Sequence, residues 1–284
     1  MWPKFPDFNK CPNSLKVEEV GRFARRLIIN KRSPEELETI LLHCPNLQDF
    51  AIWLQPIKHV LLTVEKLPLK RLSADFRYLI PNDYLSSMFA GLTHLDVIRF
   101  HGCTWKEWEV LSKLPHLTHL IIGVSVDLDV FPNLLRHISQ LRTLIFMPEW
   151  EDPEDWTQGH DKNLYNLIEN DDRLVLLYSP VYPGLTQDWI KGGESGLDTW
   201  TFCELVLIAR RREFGLTYAT NILMQLLMCK NNFLVTAGKF FLDNSPQWFQ
   251  RVFDWDKKLT DKGKKWYHAL NWRDPWSFEV LNAP

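Results

Sequence analysis

One short pattern recurs three times between residues 92 and 146 of the chain. The three copies read Leu92-Thr-His-Leu95-Asp-Val97, Leu117-Thr-His-Leu120-Ile-Ile122 and Leu141-Arg-Thr-Leu144-Ile-Phe146. Each copy is apolar at its first, fourth and sixth positions, and the first leucines are 25 and 24 residues apart. Because alternate side chains of a strand face the same way, the fourth and sixth positions would point together into one apolar layer.

The same spacing extends in both directions from these copies. The first positions then fall at Ala24, Leu47, Leu69, Leu92, Leu117, Leu141 and Leu174. A period of this length, with one strand and one helix or helical turn in each unit, is typical of leucine-rich repeats. One unit cannot bury its apolar side alone, so neighbouring units must stack with parallel strands. The sequence therefore predicts an α/β leucine-rich-repeat solenoid of about seven parallel strand-helix repeats.

Helix start signals support this interpretation. Ser33-Pro34-Glu-Glu36 combines an N-cap serine, a proline at the first helical position and a glutamate that closes a capping box. Thr104-Trp-Lys-Glu107 is a second such box. A third start is expected at Pro81. The first of these helices is expected to run to Cys44, which occupies an apolar helical slot and should be part of the core.

Composition changes along the chain suggest four segments. Residues 1–19 hold three prolines and are interpreted as an N-terminal arm. The repeat array occupies residues 20–180. Residues 181–215 contain a helix expected to run from Asp198 to Arg212, which would cap the open apolar end of the array. Residues 216–284 form a helical, aromatic-rich tail.

The bulk composition disfavours several classes of partner. The net charge is −2, so there is no basic excess to attract nucleic acid or a membrane surface. The five cysteines include no C-x-x-C pair, which argues against a disulfide framework and a zinc site. The most apolar late segment, residues 222–229, is much shorter than the ~20 residues that span a bilayer. We expect a cytoplasmic or nuclear protein.

Motif searches do not indicate an enzyme. The sequence contains no G-x-x-x-x-G-K-[ST], G-x-G-x-x-G or H-E-x-x-H motif. Ser195 lies between glycines but is interpreted as a turn rather than a nucleophile. Five residues of types that often bind metals lie close together in the sequence, namely His94, His101, Cys103, His116 and His119. We interpret them as surface residues rather than as a metal site. We therefore expect no metal and no cofactor.

Several phrases carry a family resemblance. They are His43-Cys-Pro-Asn-Leu47, Gly21-Arg-Phe-Ala-Arg-Arg-Leu-Ile-Ile29, Asp171-Asp-Arg-Leu-Val175, Trp189-Ile-Lys-Gly-Gly193 and Ile208-Ala-Arg-Arg211. Across about residues 20–212 the chain resembles fungal (basidiomycete-type) F-box/leucine-rich-repeat proteins. The resemblance implies a substrate-recognition subunit of a cullin-type ubiquitin ligase, in which an F-box binds a Skp1-type adaptor. Residues 1–22 show no F-box helical start, so we expect an adaptor contact only if such a box is encoded upstream.

The strand face opposite the apolar layer is the candidate binding site. Side chains on either side of each fourth position project from this face. The candidate partner-binding residues are Asp49, Trp53, Arg71, Asp75, His94, Asp96, His119 and Ile121. Aromatic and arginine anchors in a polar surround are typical of protein interfaces. The sequence therefore predicts a non-enzymatic module that binds an unidentified protein. In the alternative, the aromatic tail folds back and covers Trp53, Ile121 and Ile145.

Overall fold

A computed structural model describes residues 17–29, 31–147, 167, 170–176, 189, 190, 198–201, 203, 204 and 207. Most of the predicted arm, most of the predicted capping segment and the predicted tail at 216–284 lie outside the described residues. The chain divides into two compact units, Met1–Thr118 and His119–Pro284. This boundary falls inside the predicted array of residues 20–180.

The strands of both units are parallel and follow chain order. In the first unit they are β1 (Arg26–Ile29), β2 (Asp49–Pro56), β3 (Arg71–Asp75) and β4 (His94–Arg99). In the second unit they are β5 (His119–Ile122), β6 (Thr143–Phe146) and β7 (Leu174–Leu176). The predicted α/β class with seven parallel strands is therefore confirmed for the described residues.

Short helices connect the strands. The α-helices are α1 (Val17–Val20), α2 (Pro34–Leu42), α3 (Leu61–Val64), α4 (Ser87–Ala90), α5 (Trp105–Trp108) and α6 (Val130–His137). Turns of 3-10 helix adjoin several of them at Gly21–Phe23, Ile57–Val60, Pro81–Leu85 and Glu109–Lys113. A repeat of 22 to 25 residues leaves space for only one or two helical turns once the strand and its corners are formed, which explains why most of these helices are short.

The register places equivalent repeat positions side by side. Leu27 pairs with Phe50, which pairs with Leu72, which pairs with Leu95. In the second unit Leu120 pairs with Leu144. From the second to the sixth repeat, the side chains at the first, fourth and sixth positions are all buried. Each fully buried aliphatic side chain contributes about 1.5–3 kcal/mol of transfer free energy. The side chains at these three positions therefore form the predicted core.

The predicted helix starts have the expected local hydrogen bonds. The N–H of Glu36 donates to the Ser33 hydroxyl and the N–H of Ser33 donates to the Glu36 carboxylate, both at 3.2 Å. At the second box, the Thr104 N–H donates to Glu107 Oε2 at 2.9 Å, and the Thr104 hydroxyl donates to the same oxygen. Cys44 is buried as expected.

The predicted register of the seventh repeat is wrong by three residues. Leu144 pairs with Leu174 and Phe146 pairs with Leu176, so Leu174 occupies a fourth position rather than a first. The first position falls at Asp171, whose carboxylate accepts hydrogen bonds from the backbone and guanidinium of Arg173. An aspartate therefore occupies the position at which the other repeats have an apolar residue. Because Asp171 is polar, the apolar pattern does not indicate the register of this repeat.

No helix among the described residues is long and apolar enough to cross a membrane.

Candidate functional site

A row of charged residues crosses the first unit at the position before each fourth-position residue. Arg26 pairs with Asp49, Asp49 with Arg71, and Arg71 with His94 in the strand register. The Asp49 carboxylate lies 3.4 Å from Arg26 Nε and 4.0 Å from Arg71 Nε. The Arg71 side chain is 30% exposed, whereas Asp49 is half as exposed at 15%. One carboxylate therefore lies between two guanidinium groups at a partly accessible surface.

Further along the strands, the same face is buried and hydrogen-bonded. Ser73 and Asp96 lie two positions after Arg71 and His94, and Trp53 lies four positions after Asp49. The indole Nε1 of Trp53 donates to the Ser73 hydroxyl at 2.7 Å, and this hydroxyl donates to Asp96 Oδ2 at 2.5 Å. All three side chains are buried. Ser73 and Asp96 are direct register partners on β3 and β4. We call Trp53, Ser73 and Asp96 the buried polar chain.

Among the described acids of the first unit, Asp96 has the most strongly shifted pKa. Burial raises the pKa of its carboxyl from 3.8 to about 7, and the hydrogen bond from Ser73 opposes this rise. Its second oxygen, Oδ1, has no hydrogen-bond partner in the described part of the chain. A buried polar atom without a partner costs roughly 1–3 kcal/mol, more when the group is charged. The neutral, protonated carboxyl is therefore favoured up to near-neutral pH.

Asp75 is the last residue of β3, and its carboxylate is hydrogen-bonded to Arg77. Its carboxylate accepts hydrogen bonds from the Arg77 guanidinium at distances of 2.8–3.1 Å and from the Arg77 backbone N–H at 3.1 Å. Asp75 is buried, while the Arg77 side chain is 40% exposed. The pKa of the Arg77 guanidinium is raised by this hydrogen-bonded carboxylate. Asp75 thus positions Arg77, which is the member of the pair that meets solvent.

In the second unit, helical residues from the predicted capping segment lie against β5. Residues 199–201, 203, 204 and 207 are helical, and Asp198 accepts a hydrogen bond from the Thr201 N–H at 3.0 Å, as an N-cap does. His119 Nε2 lies 3.2 Å from Glu204 Oε1. The His119 ring also meets Trp200 edge to face at a centroid distance of 6.0 Å. The expected helix start at Asp198 is confirmed, and these residues contact the predicted binding face of β5.

The eight predicted site residues therefore fall into two groups. Trp53, Asp75, Asp96, His119 and Ile121 are buried, and Asp49, Arg71 and His94 are half-buried. Trp53, Ile121 and Ile145 are buried, and the residues seen on β5 are Trp200 and Glu204 of the predicted capping segment. The aromatic tail at 216–284 lies outside the described residues, so its covering of this face stays a prediction. Partner binding by the eight residues stays a prediction.

The sequence reasoning did not find the contacts made by Ser73, Trp200 and Glu204. The spacing of Ser73 from Trp53 and Asp96 in the sequence does not indicate a continuous hydrogen-bonded chain. Glu204 is 85 residues from His119 and belongs to no repeat, so no periodic signal connects the two. The hydroxyl pattern Asp198-Thr-Trp-Thr201 was the available sign of a helix start.

The part of the chain that the structure describes contains no cluster of metal-ligating side chains. No group of three or more His, Cys, Asp or Glu side chains there could hold a metal ion. Cys103 is exposed, and burial raises the pKa of the Cys44 thiol. A raised thiol pKa lowers the thiolate fraction, so Cys44 is suited to packing rather than nucleophilic chemistry.

Comparison with protein-family models, curated proteins and solved structures finds no match for this chain. The resemblance to F-box/leucine-rich-repeat proteins therefore stays a prediction based on the short phrases of the sequence. Inferences about function rest on the chain's own residues and their contacts.

Proposed function

We propose that the chain is a leucine-rich-repeat solenoid that works as a non-enzymatic protein-binding module in the cytoplasm or nucleus. Its partner would contact the partly exposed charged row of the first unit, formed by Arg26, Asp49, Arg71 and His94. The parallel register supports this proposal because it aligns these four side chains across four adjacent strands.

The observation that carries the proposal is the placement of Arg71. The Arg71 guanidinium lies 4.0 Å from the Asp49 carboxylate, and the Arg71 side chain remains 30% exposed. Arginine is enriched among residues that dominate binding energy, and an anchor held in place loses little conformational freedom on binding. The buried polar chain lies further along the same strands and joins β2, β3 and β4 by hydrogen bonds, which supports a preorganised surface.

Comparative affinity capture would test this function. Wild-type protein, Arg71→Ala and Arg32→Ala are immobilised in equal amounts and exposed to lysate from cells that express the protein. Arg32→Ala is the matched control because Arg32 is exposed and its recorded hydrogen bond uses the backbone N–H. Proteins held by wild type and by Arg32→Ala, but lost with Arg71→Ala, are then purified.

Direct titration with the purified partner decides the outcome. Removing an interface anchor costs about 1 kcal/mol or more, so Arg71→Ala should weaken binding by roughly fivefold or more. Arg32→Ala should leave the dissociation constant unchanged. Equal affinity of the partner for wild type and Arg71→Ala would reject the charged row as the binding site.

A further inference from the structure

A second surface lies where β2, β3 and β4 end. We propose that this carboxyl edge, defined by Leu54, Arg77, Tyr78, Ile80 and Arg99, binds a protein segment in which a carboxylate side chain stands next to a large apolar one. Binding here would go beyond the charged row of the sheet face, because the two surfaces share no residue.

Three large apolar side chains are exposed at the carboxyl edge. Leu54 is 54% exposed, Tyr78 is 58% exposed and Ile80 is 56% exposed. A single exposed apolar residue is ordinary, whereas several grouped in one region of a surface can mark a binding site. Between Tyr78 and Ile80, Leu79 is buried. Leu79 therefore anchors the segment while its two neighbours remain accessible.

The strand register brings these residues to one edge. Pro56 at the end of β2 pairs with Asp75 at the end of β3, and Asp75 pairs with Arg99 at the end of β4. The N–H of Phe76 donates to the carbonyl of Arg99 at 2.8 Å. Leu54 therefore lies two positions before Pro56, the paired residue of β2. Tyr78 lies three positions after Asp75, the paired residue of β3.

The turn that carries Tyr78 and Ile80 is fixed at both ends. The N–H of Leu79 donates to the carbonyl of Phe76 at 3.1 Å, and the N–H of Ile80 donates to the Asp83 carboxylate at 2.8 Å. Lys58 in turn donates to the same carboxylate at 2.7 Å. A surface that is ordered before binding loses less entropy when a partner docks.

The charge available at the carboxyl edge is positive. Two acids in this region are already engaged, since Asp75 binds Arg77 and Asp83 binds Lys58. Arg99 is exposed, and its guanidinium forms no hydrogen bond or ion pair with the described residues. The Arg77 guanidinium lies 5.7 Å from the centre of the Tyr78 ring, a cation-π arrangement. The edge therefore complements a carboxylate beside an apolar group better than a basic or purely polar segment.

The exposed apolar residues favour a protein segment over a nucleic acid. A phosphate backbone would use Arg99 and Arg77, but it offers nothing that Leu54 and Ile80 can bury. A segment with a leucine or phenylalanine next to an aspartate or glutamate satisfies both parts of the edge. Arginine and tyrosine are also residue types that often dominate binding energy at interfaces.

Selection from a random peptide display library tests this inference without knowledge of the natural partner. Wild-type protein is the bait, and the double variant Tyr78→Ala/Arg99→Glu is used to remove peptides that bind elsewhere. We expect the enriched peptides to carry Asp or Glu adjacent to Leu, Ile, Phe or Trp. Absence of enrichment, or enrichment of basic or purely polar peptides, would overturn the inference.

A synthetic copy of an enriched peptide is then titrated against single variants. We expect Arg99→Glu and Ile80→Ala each to weaken binding by about tenfold, on the scale of an interface anchor. The matched control is Arg25→Glu, which changes an exposed arginine before the opposite, amino end of β1. All these positions are exposed, and circular dichroism with unfolding midpoints would verify that each variant is folded.

Two further outcomes would contradict binding at the carboxyl edge. A peptide that loses affinity with Arg71→Ala, but not with the edge variants, would belong to the sheet face and would support the function proposed above. A single-stranded oligonucleotide that binds wild type as tightly as the peptide, and is unaffected by Ile80→Ala, would replace the protein segment with a nucleic acid.

Discussion

The hydroxyl of Ser73 accepts a hydrogen bond from the Trp53 indole at 2.7 Å and donates one to Asp96 at 2.5 Å. Trp53, Ser73 and Asp96 come from three successive parallel strands. Polar groups in a buried environment are costly unless they bond to one another, and a connected chain of them fixes the strands that it joins. Ser73 is the central link because both hydrogen bonds pass through its one oxygen.

Replacing Ser73 with alanine should therefore be unusually costly for so small a change. Ser73→Ala removes the acceptor used by Trp53 and the donor that stabilises the Asp96 carboxylate, so we expect a loss of about 2 kcal/mol or more in the free energy of unfolding. Urea unfolding followed by circular dichroism would measure it. The matched control is Ser125→Ala at an exposed serine, which should stay within about 0.5 kcal/mol of wild type. Equal effects of the two substitutions would contradict a structural role for the chain.

Asp96 should make stability depend on pH. The folded state keeps a proton up to a pKa of about 7, whereas the unfolded carboxyl releases it near 3.8. Between these values the folded state binds more protons, so the free energy of unfolding falls as the pH rises from about 4 to about 7. At about 1.4 kcal/mol for each pH unit, the full loss would be roughly 4 kcal/mol.

The variant Asp96→Asn isolates this contribution. An amide keeps the shape and can still accept from Ser73, but it does not ionise. We expect Asp96→Asn to be more stable than wild type at pH 8, with the difference shrinking towards pH 4. Asp127→Asn changes an exposed acid and is the control. Parallel stability curves for Asp96→Asn and wild type would show that Asp96 is not buried as a neutral acid.

Gly21 should be irreplaceable for a steric reason. A Cβ atom built on Gly21 would lie 2.4 Å from the carbonyl oxygen of His43 and 2.9 Å from its carbonyl carbon. These are backbone atoms of the next repeat, so the backbone itself would have to move. We expect Gly21→Ala to destabilise the protein by about 1–3 kcal/mol in urea unfolding.

Gly91→Ala serves as the matched control for Gly21→Ala. A Cβ atom built on Gly91 would lie 3.2 Å from its nearest neighbour, the Leu69 carbonyl oxygen, which requires only a small adjustment. Gly91 therefore should tolerate alanine better than Gly21. If both variants unfold at the same urea concentration as wild type, the close approach between Gly21 and His43 does not limit the packing.

The buried apolar positions of the repeats and helix α2 could be predicted, because both depend on local spacing in the sequence. The alternation of a strand specifies which face Phe50 and Leu72 occupy, and a parallel register then follows from stacking like positions. The Ser33 and Glu36 pair forms a capping box within four residues of chain. In both cases the residues that interact are close in sequence or repeat at a fixed interval.

The remaining features depend on contacts that no local pattern encodes. Asp171 stands where the leucine pattern requires an apolar residue, so the pattern predicts the first position at Leu174 instead. The face was expected to be a row of surface residues, yet Asp96 is buried and bonded through Ser73. Exposure depends on what packs above a side chain, and composition alone does not specify that. The contact between His119 and Glu204 joins a strand to a segment outside the repeats.

Trp200 provides the final test, because it reports whether helical residues pack on β5. Trp200 is buried and meets the edge of His119, while Glu204 lies within 3.2 Å of the same ring. Loss of a buried tryptophan side chain costs roughly 3–5 kcal/mol where the surroundings do not collapse. We expect Trp200→Ala to lower the urea midpoint and to speed hydrogen exchange at the amides of His119–Ile122. Ile190→Ala, at a residue that is 45% exposed, should change neither quantity. Unchanged exchange in Trp200→Ala would mean that the residues around Trp200 do not protect β5, and this part of the sheet face would then be available to a partner.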